Sequence, residues 1–157
     1  MNFINEDKVM VYRCRPSAKI PVRAHPQDAG MDFFFCPEDD SNESVVIEPG
    51  ESSIFATGVK VAVPRGHMLQ IMNKSGIASK KQLLVGACVV DEGYTGEIFV
   101  NLHNTSHLPQ AIQTGQKIAQ GVFVQITKPL LWETVEDNIY GRETSRGDGS
   151  LGSTGER

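Results

Sequence analysis

Glycine and proline cut this chain into short apolar runs, and that punctuation commits it to a fold of short strands. Pro49-Gly50 and Pro64-Arg65-Gly66 mark turns. Between them, Gly58 to Val63 alternates in the manner of a half-buried strand. Leu69 and Ile71 alternate in the next run, and Ile98, Val100 and Leu102 alternate with Phe99, Asn101 and His103. Ile118 to Ile126 reads as a further strand. Leu83 to Val90 is nearly all apolar, which predicts one strand buried on both faces. Ser75 to Gln82 predicts a helical turn too short to be a packing element. Many short strands separated by turns imply an all-β sandwich or barrel rather than a βαβ fold.

A chain of 157 residues fits one domain of ordinary size. Aromatic residues make up 7%, so the core is expected to rest on Val, Ile, Leu and Met. The formal net charge of −4 argues against sequence-independent binding to duplex DNA, which needs a basic face, and no nucleic-acid partner is expected. It leaves room for a phosphorylated small molecule, which a few cations and backbone N–H groups can hold locally. No apolar run is long enough for a transmembrane helix, and Met1 to Arg15 lacks the apolar segment of a signal peptide. A cytoplasmic location without a membrane partner is the expectation. Cys14, Cys36 and Cys88 are far apart and odd in number, against a disulfide framework or a zinc site. Cys14 and Cys36 read as small buried hydrophobes. His25, His67, His103 and His107 show no ligand spacing and read as surface or loop residues.

Composition changes near Gly141. Residues 141–157 hold five glycines, three serines, two threonines and one large apolar residue, Leu151. Such a segment cannot bury enough surface to fold alone. The expected organisation is therefore a β-domain over 1–140 and a flexible arm over 141–157. The arm nevertheless carries Arg146 and the run Gly152-Ser153-Thr154-Gly155, which offers N–H and hydroxyl groups to a phosphate. It lacks the Gly-Lys-Ser/Thr ending of a P-loop.

Five segments carry the chemistry. They are Ala29-Gly30-Met31-Asp32, Lys74-Ser75-Gly76-Ile77-Ala78, the run from Gly86 to Ile98 containing Asp91 and Tyr94, Gly115-Gln116-Lys117-Ile118-Ala119-Gln120, and the run from Arg146 to Gly155. Each is weak evidence alone. Together, in this order and spacing, they resemble the five motifs of the trimeric dUTP diphosphatase (dUTPase) family, from about Ala29 to Gly155.

The resemblance implies a distorted jelly roll that assembles as a homotrimer with active sites shared between subunits, the C-terminal arm closing over a neighbour's site. It implies hydrolysis of dUTP to dUMP and pyrophosphate with Mg²⁺, which keeps uracil out of DNA and supplies dUMP for thymidylate synthesis. Asp91 is then the carboxylate that orients the attacking water and holds the sugar 3′-hydroxyl. Tyr94 packs on the deoxyribose and leaves no room for a 2′-hydroxyl. Ser75, beside Gly76, touches the bridging oxygen near the α-phosphorus, and Gln120 binds the α-phosphate region. Lys74, Lys117 and Arg146 meet phosphate charge, and Gly152, Ser153 and Thr154 serve the γ-phosphate. The backbone of the hairpin Gly86, Ala87, Cys88, Val89 and Val90 pairs with uracil, with Leu151 over the base. Asp32 holds the hydration shell of a metal carried mainly by the triphosphate. These roles suit phosphoryl chemistry, which needs a placed nucleophile and charge neutralisation. Magnesium keeps most of its waters, so no acidic cage is required.

Taken singly, several of these residues have plainer readings. Asp32 after Ala-Gly is also what a turn aspartate looks like, Tyr94 between glycines suits a hairpin tip, and Gln120 suits a satisfied strand residue. Asp91 is harder to dismiss, because it follows an apolar strand and would be costly to bury without purpose. The motifs also depart from the family pattern. Lys74 and Lys117 stand where arginine is usual, keeping the charge but not the bidentate fork. Cys88 stands for glycine, Gly93 for a frequent aspartate, and Leu151 for a frequent phenylalanine. Two other functions share the fold: a deaminase or diphosphatase for another pyrimidine deoxynucleotide such as dCTP, and a nucleotide-sensing regulatory protein.

Overall fold

Alternating apolar residues pair the strands as their sequence requires. The computed structural model describes residues 8–141, 145, 147 and 148. Strand β1 (Val11–Arg13) is followed by β2 (Met31–Phe34), β3 (Ser44–Ile47), β4 (Ser52–Ala56), β5 (Val59–Val61) and β6 (His67–Met72). Then come helix α1 (Ser75–Lys81), β7 (Leu83–Val85), β8 (Val89–Val90), β9 (Phe99–Asn104), β10 (Gln110–Gln113) and β11 (Lys117–Gln125). The largest sheet has the order β2-β11-β6-β8, and a second has the order β4-β9-β7. Strands β1 and β5 form one further pair and β3 and β10 another, and every pairing is antiparallel. The result is the all-β, distorted jelly roll that the turn spacing and the resemblance called for.

The chain divides into two units, Met1–Thr127 and Lys128–Arg157. The second contains helix α2 (Glu136–Ile139), and its Leu130, Leu131 and Trp132 are exposed.

The core differs from expectation in composition. Phe33 and Phe55 are fully buried beside Val59, Val100, Leu69 and Ile118, and Phe35 meets Phe55 edge-on with centroids 5.0 Å apart. No methionine is among the buried core residues described. A few rigid aromatics supply area that many aliphatics would otherwise provide.

The apolar run 83–90 is not one strand. Leu83–Val85 pairs with β9, whereas Val89–Val90 pairs with β6 in the other sheet. Gly86 marks the break, because a Cβ there would stand 2.1 Å from Asn101 Oδ1. Nor is the run buried on both faces, since Val89 is 58% exposed. Helix α1 is short but does pack, its Ile77 reaching the core. Cys36 is buried as expected, while Cys14 is half-buried.

Candidate active site

The first motif lies on strand β2. Asp32 pairs with Gln120 of β11 across the ladder and bridges to Val22 on its other side, so it is a buried strand residue and not a turn aspartate. Its carboxylate is held by two cations. Lys74 Nζ donates to Oδ1 at 2.7 Å, and Lys117 Nζ lies 2.7 Å from Oδ2. The second contact is an ion pair at hydrogen-bonding distance, so each carboxylate oxygen meets one ammonium group. Burial pushes the Asp32 carboxyl up, but Lys117 and Lys74 outweigh it and hold the group below its ordinary value. Lys74 and Lys117 hold the buried carboxylate by its two oxygens, and both ammonium groups stay partly exposed, where a phosphate can reach them.

Gln120 faces the same cleft, a space of about 330 Å³ lined by Gly30, Asp32, Lys74 and Gln120 together with Asp28 and Met72. Its amide Nε2 donates to the Asn73 carbonyl at 2.9 Å. Its Oε1 lies where a Cβ of residue 30 would be, so Gly30 is required for this rotamer. Asn73 also accepts from Val85 N at 2.7 Å, fixing the entry to α1 against β7. Lys74 is the residue capping α1, and Ser75 and Gly76 open the helix at the surface. Residues of the first, second and fourth motifs thus meet in one cleft.

The third motif lies elsewhere on the same chain. Gly86 and Ala87 are exposed and Cys88 is half-buried between β7 and β8. The Cys88 carbonyl accepts from Ile71 N at 2.8 Å, and Gly86 N donates to the Asn101 carbonyl at 3.0 Å. Strand β8 is the edge of its sheet, so the outer backbone groups of Val89 and Val90 face no neighbouring strand. Asp91 is exposed, contrary to the burial inferred from the preceding apolar run. Tyr94 N donates to the Asp91 carbonyl at 3.1 Å, closing a turn, and the Tyr94 side chain is 44% exposed.

Register measures how far the two parts are from each other. Val90 pairs with Leu69, whereas Met72 and Asp32 both pair with Gln120. Three strand spacings across the sheet and four residues along it put Asp91 about 20 Å from Asp32. Arg146, Leu151, Gly152, Ser153 and Thr154 lie outside the described residues.

Three features of this region escape sequence reading: the role of Asn73 as an anchor, Asp28 in the cleft, and the pairing of Arg15 with Glu97. Asn73 and Glu97 do adjoin or fall within the segments singled out, but their partners are distant in sequence. Among the described residues no group of three or more His, Cys, Asp or Glu side chains is arranged to hold a metal, and no helix is long and apolar enough to cross a membrane.

The dUTPase family profile matches residues 16–155. The chain is 37% identical over 150 residues to the deoxyuridine 5′-triphosphate nucleotidohydrolase of Clostridium novyi (strain NT), covering 94% of this chain and 99% of that one. It is 36% identical over 149 residues to the protein of the same name from Mycobacterium sp. (strain JLS), with 92% and 93% covered. Among solved structures, a mutant dUTPase of Staphylococcus bacteriophage 80alpha with dUpNHpp superposes with a TM-score of 0.79 at 27% identity, covering 95% of this chain and 99% of that one. A mutant dUTPase of phage phi11 of S. aureus, described with a coordinated structural Mg(II) ion, superposes with a TM-score of 0.72 at 28% identity, with 82% and 97% covered. With its profile matched over most of its length and its strands in the same arrangement, this chain belongs to the dUTPase family.

Proposed function

We propose that this chain hydrolyses dUTP to dUMP and pyrophosphate at a site that two or more copies build together. The observation that carries the reading is the convergence of Asp32, Lys74 and Gln120, from three separated motifs, in one polar cleft, with Lys117 paired to Asp32 beside it. The cleft takes the phosphates. Lys74 and Lys117 neutralise their oxygens, Gln120 and Ser75 contact the region of the α-phosphorus, and Asp91 orients and deprotonates the attacking water. Tyr94 packs on the deoxyribose, and the outer edge of the Gly86 to Val90 hairpin pairs with uracil. An apposed cytosine would leave buried polar groups unpaired.

The separation of Asp91 from Asp32 supports sharing of the site, since a carboxylate about 20 Å away does not serve a phosphorus held at the Asp32 cleft of the same chain. That the assembly is a homotrimer rests on the family resemblance, as does the closing of the arm 141–157, through Arg146, Leu151 and Gly152 to Thr154, over a neighbour.

The chain fits a magnesium ion only in outer-sphere fashion. Among the described residues there is no cage, but the Asp32 carboxylate, with one lysine on each oxygen, retains lone pairs for a metal-bound water. Mg²⁺ arriving on the triphosphate supplies charge neutralisation, and Asp32 would hold its hydration shell. The test is a hydrolysis assay over dUTP, dCTP, dTTP and UTP with Mg²⁺. A preference for dUTP with pyrophosphate released supports the reading; a preference for dCTP or dTTP, or deamination of dCTP, overturns it.

A further inference from the structure

Arg15 and Glu97 form a nearly buried ion pair that the mechanism above does not use. Both side chains are 12% exposed although 82 residues separate them. Arg15 Nη1 donates to Glu97 Oε2 at 3.0 Å, and Nη2 donates to Oε1 and to the Cys36 carbonyl. Gly58 N adds a hydrogen bond to Oε1 at 2.7 Å. Position 58 admits only glycine, because it has φ +71° and a Cβ there would stand 2.5 Å from Ala18 and 2.9 Å from Cys36 Sγ. The hydrogen bond to Glu97 raises the Arg15 pKa above its ordinary value, against the opposing effect of burial.

What this anchor holds is the turn that carries Tyr94. The Tyr94 hydroxyl donates to the Glu97 backbone carbonyl at 2.8 Å. Its ring folds over Gly96, where a Cβ would stand 2.4 Å from Oη and 2.5 Å from Cζ. An exposed tyrosine in a glycine-rich turn would otherwise sample several rotamers. Here the hydroxyl is tied to a residue whose own carboxylate is clamped into the protein body. Buried ion pairs contribute little net stability against apolar substitutes, and in some proteins they serve to fix geometry instead.

We propose that Arg15, acting through Glu97, is a positioning residue that holds the Tyr94 ring in place and thereby sharpens the exclusion of ribonucleotides. The proposal rests on the reading that Tyr94 faces the sugar. A ring held in one orientation presents a fixed wall to C2′, whereas a mobile ring yields to a 2′-hydroxyl. Removing Arg15 leaves the Glu97 carboxylate with Gly58 N alone, and the carboxylate then turns to solvent and draws its backbone carbonyl away from Tyr94.

The experiment measures kcat/KM for dUTP and for UTP in the full chain and in Arg15→Ala, Arg15→Lys, Tyr94→Phe, Tyr94→Ala and the double variant Arg15→Ala/Tyr94→Phe. The ratio of the two values does not depend on the fraction of protein folded. The expected result is a fall in the dUTP:UTP ratio of about three- to tenfold in Arg15→Ala, the scale of one lost hydrogen bond. Arg15→Lys should recover part of it, and the double variant should fall no further than Tyr94→Phe. Where Arg15→Ala does not fold, Glu97→Gln takes its place. A proportional loss for both nucleotides in Arg15→Ala, with a changed ratio in Tyr94→Ala, overturns the proposal. An unchanged ratio in Tyr94→Ala instead overturns the sugar-facing reading beneath it. The clamp is then judged by the ring resonance of ¹³C-labelled tyrosine, assigned by its loss in Tyr94→Phe: displacement in Arg15→Ala supports it, and an unmoved resonance overturns it.

Discussion

Gly30 and Gln120 share a space that only a hydrogen at position 30 leaves open: a Cβ there would stand 2.2 Å from Gln120 Oε1 and 2.9 Å from its Cδ. The obstructing atoms are the far end of a half-buried, flexible side chain, so Gly30→Ala can be accommodated by rotating Gln120 out of the cleft. The fold should survive with a small change in Tm, while kcat/KM for dUTP falls by about tenfold or more through loss of the proposed phosphate contact. Steady-state kinetics beside a thermal melt check both halves. Full activity would take Gln120 out of the site.

Gly121 is the opposite case one residue on. A Cβ there would stand 2.5 Å from Phe33 Cε2 and 2.9 Å from Leu69 Cδ1, both in the fully buried core. Neither ring nor branched side chain has room to retreat. Gly121→Ala should cost about 1–3 kcal/mol in overpacking. Urea titration should show the midpoint falling with the slope unchanged.

Asp32→Asn removes the anion between Lys74 and Lys117. Both lysines are partly exposed, so the loss is about 1–3 kcal/mol rather than the larger figure for a fully buried pair. The pH dependence has a definite sign. The folded-state pKa of Asp32 lies below its unfolded value, so its stabilisation is complete above the ordinary carboxylate range of about 4 and disappears as pH falls through the folded value. Tm measured from neutral pH down to about 3 should therefore fall more steeply for the native chain than for Asp32→Asn. Parallel curves would mean that the carboxylate is not held by the lysines.

Asp91→Asn keeps shape and exposure but removes the carboxylate proposed as the base. Turnover should fall by about 10²–10⁴-fold. Nucleotide binding, followed by calorimetry with a non-hydrolysable dUTP analogue, should persist. Near-native turnover would exclude Asp91 from the chemistry.

Much of the strand pattern was readable because alternation at Gly58 to Val63 and Ile98 to Leu102 records burial on one face. Residues 83–90 were misread because an apolar run has no period from which to locate a break, and Gly86 is forced by Asn101 and His103, which no local window contains. Asp32 was recognisable as a chemical residue from its motif, but its place on β2 was not, since its burial depends on lysines at 74 and 117. Likewise Glu97 was in view while its partner, Arg15, was not. The phenylalanines at 33 and 55 show the same limit: composition counted them as few, and only packing revealed that they occupy the centre.

On the shared-site proposal, the gap of about 20 Å between Asp91 and Asp32 makes activity a matter of company. A chain spoiled at Asp91 and a chain spoiled at Gln120 are each deficient alone, yet unfolding and refolding them together should yield mixed assemblies in which some sites draw both intact residues from different parents. Activity should reappear on mixing two inert preparations, and specific activity should decline when the native protein is diluted far enough for its subunits to part.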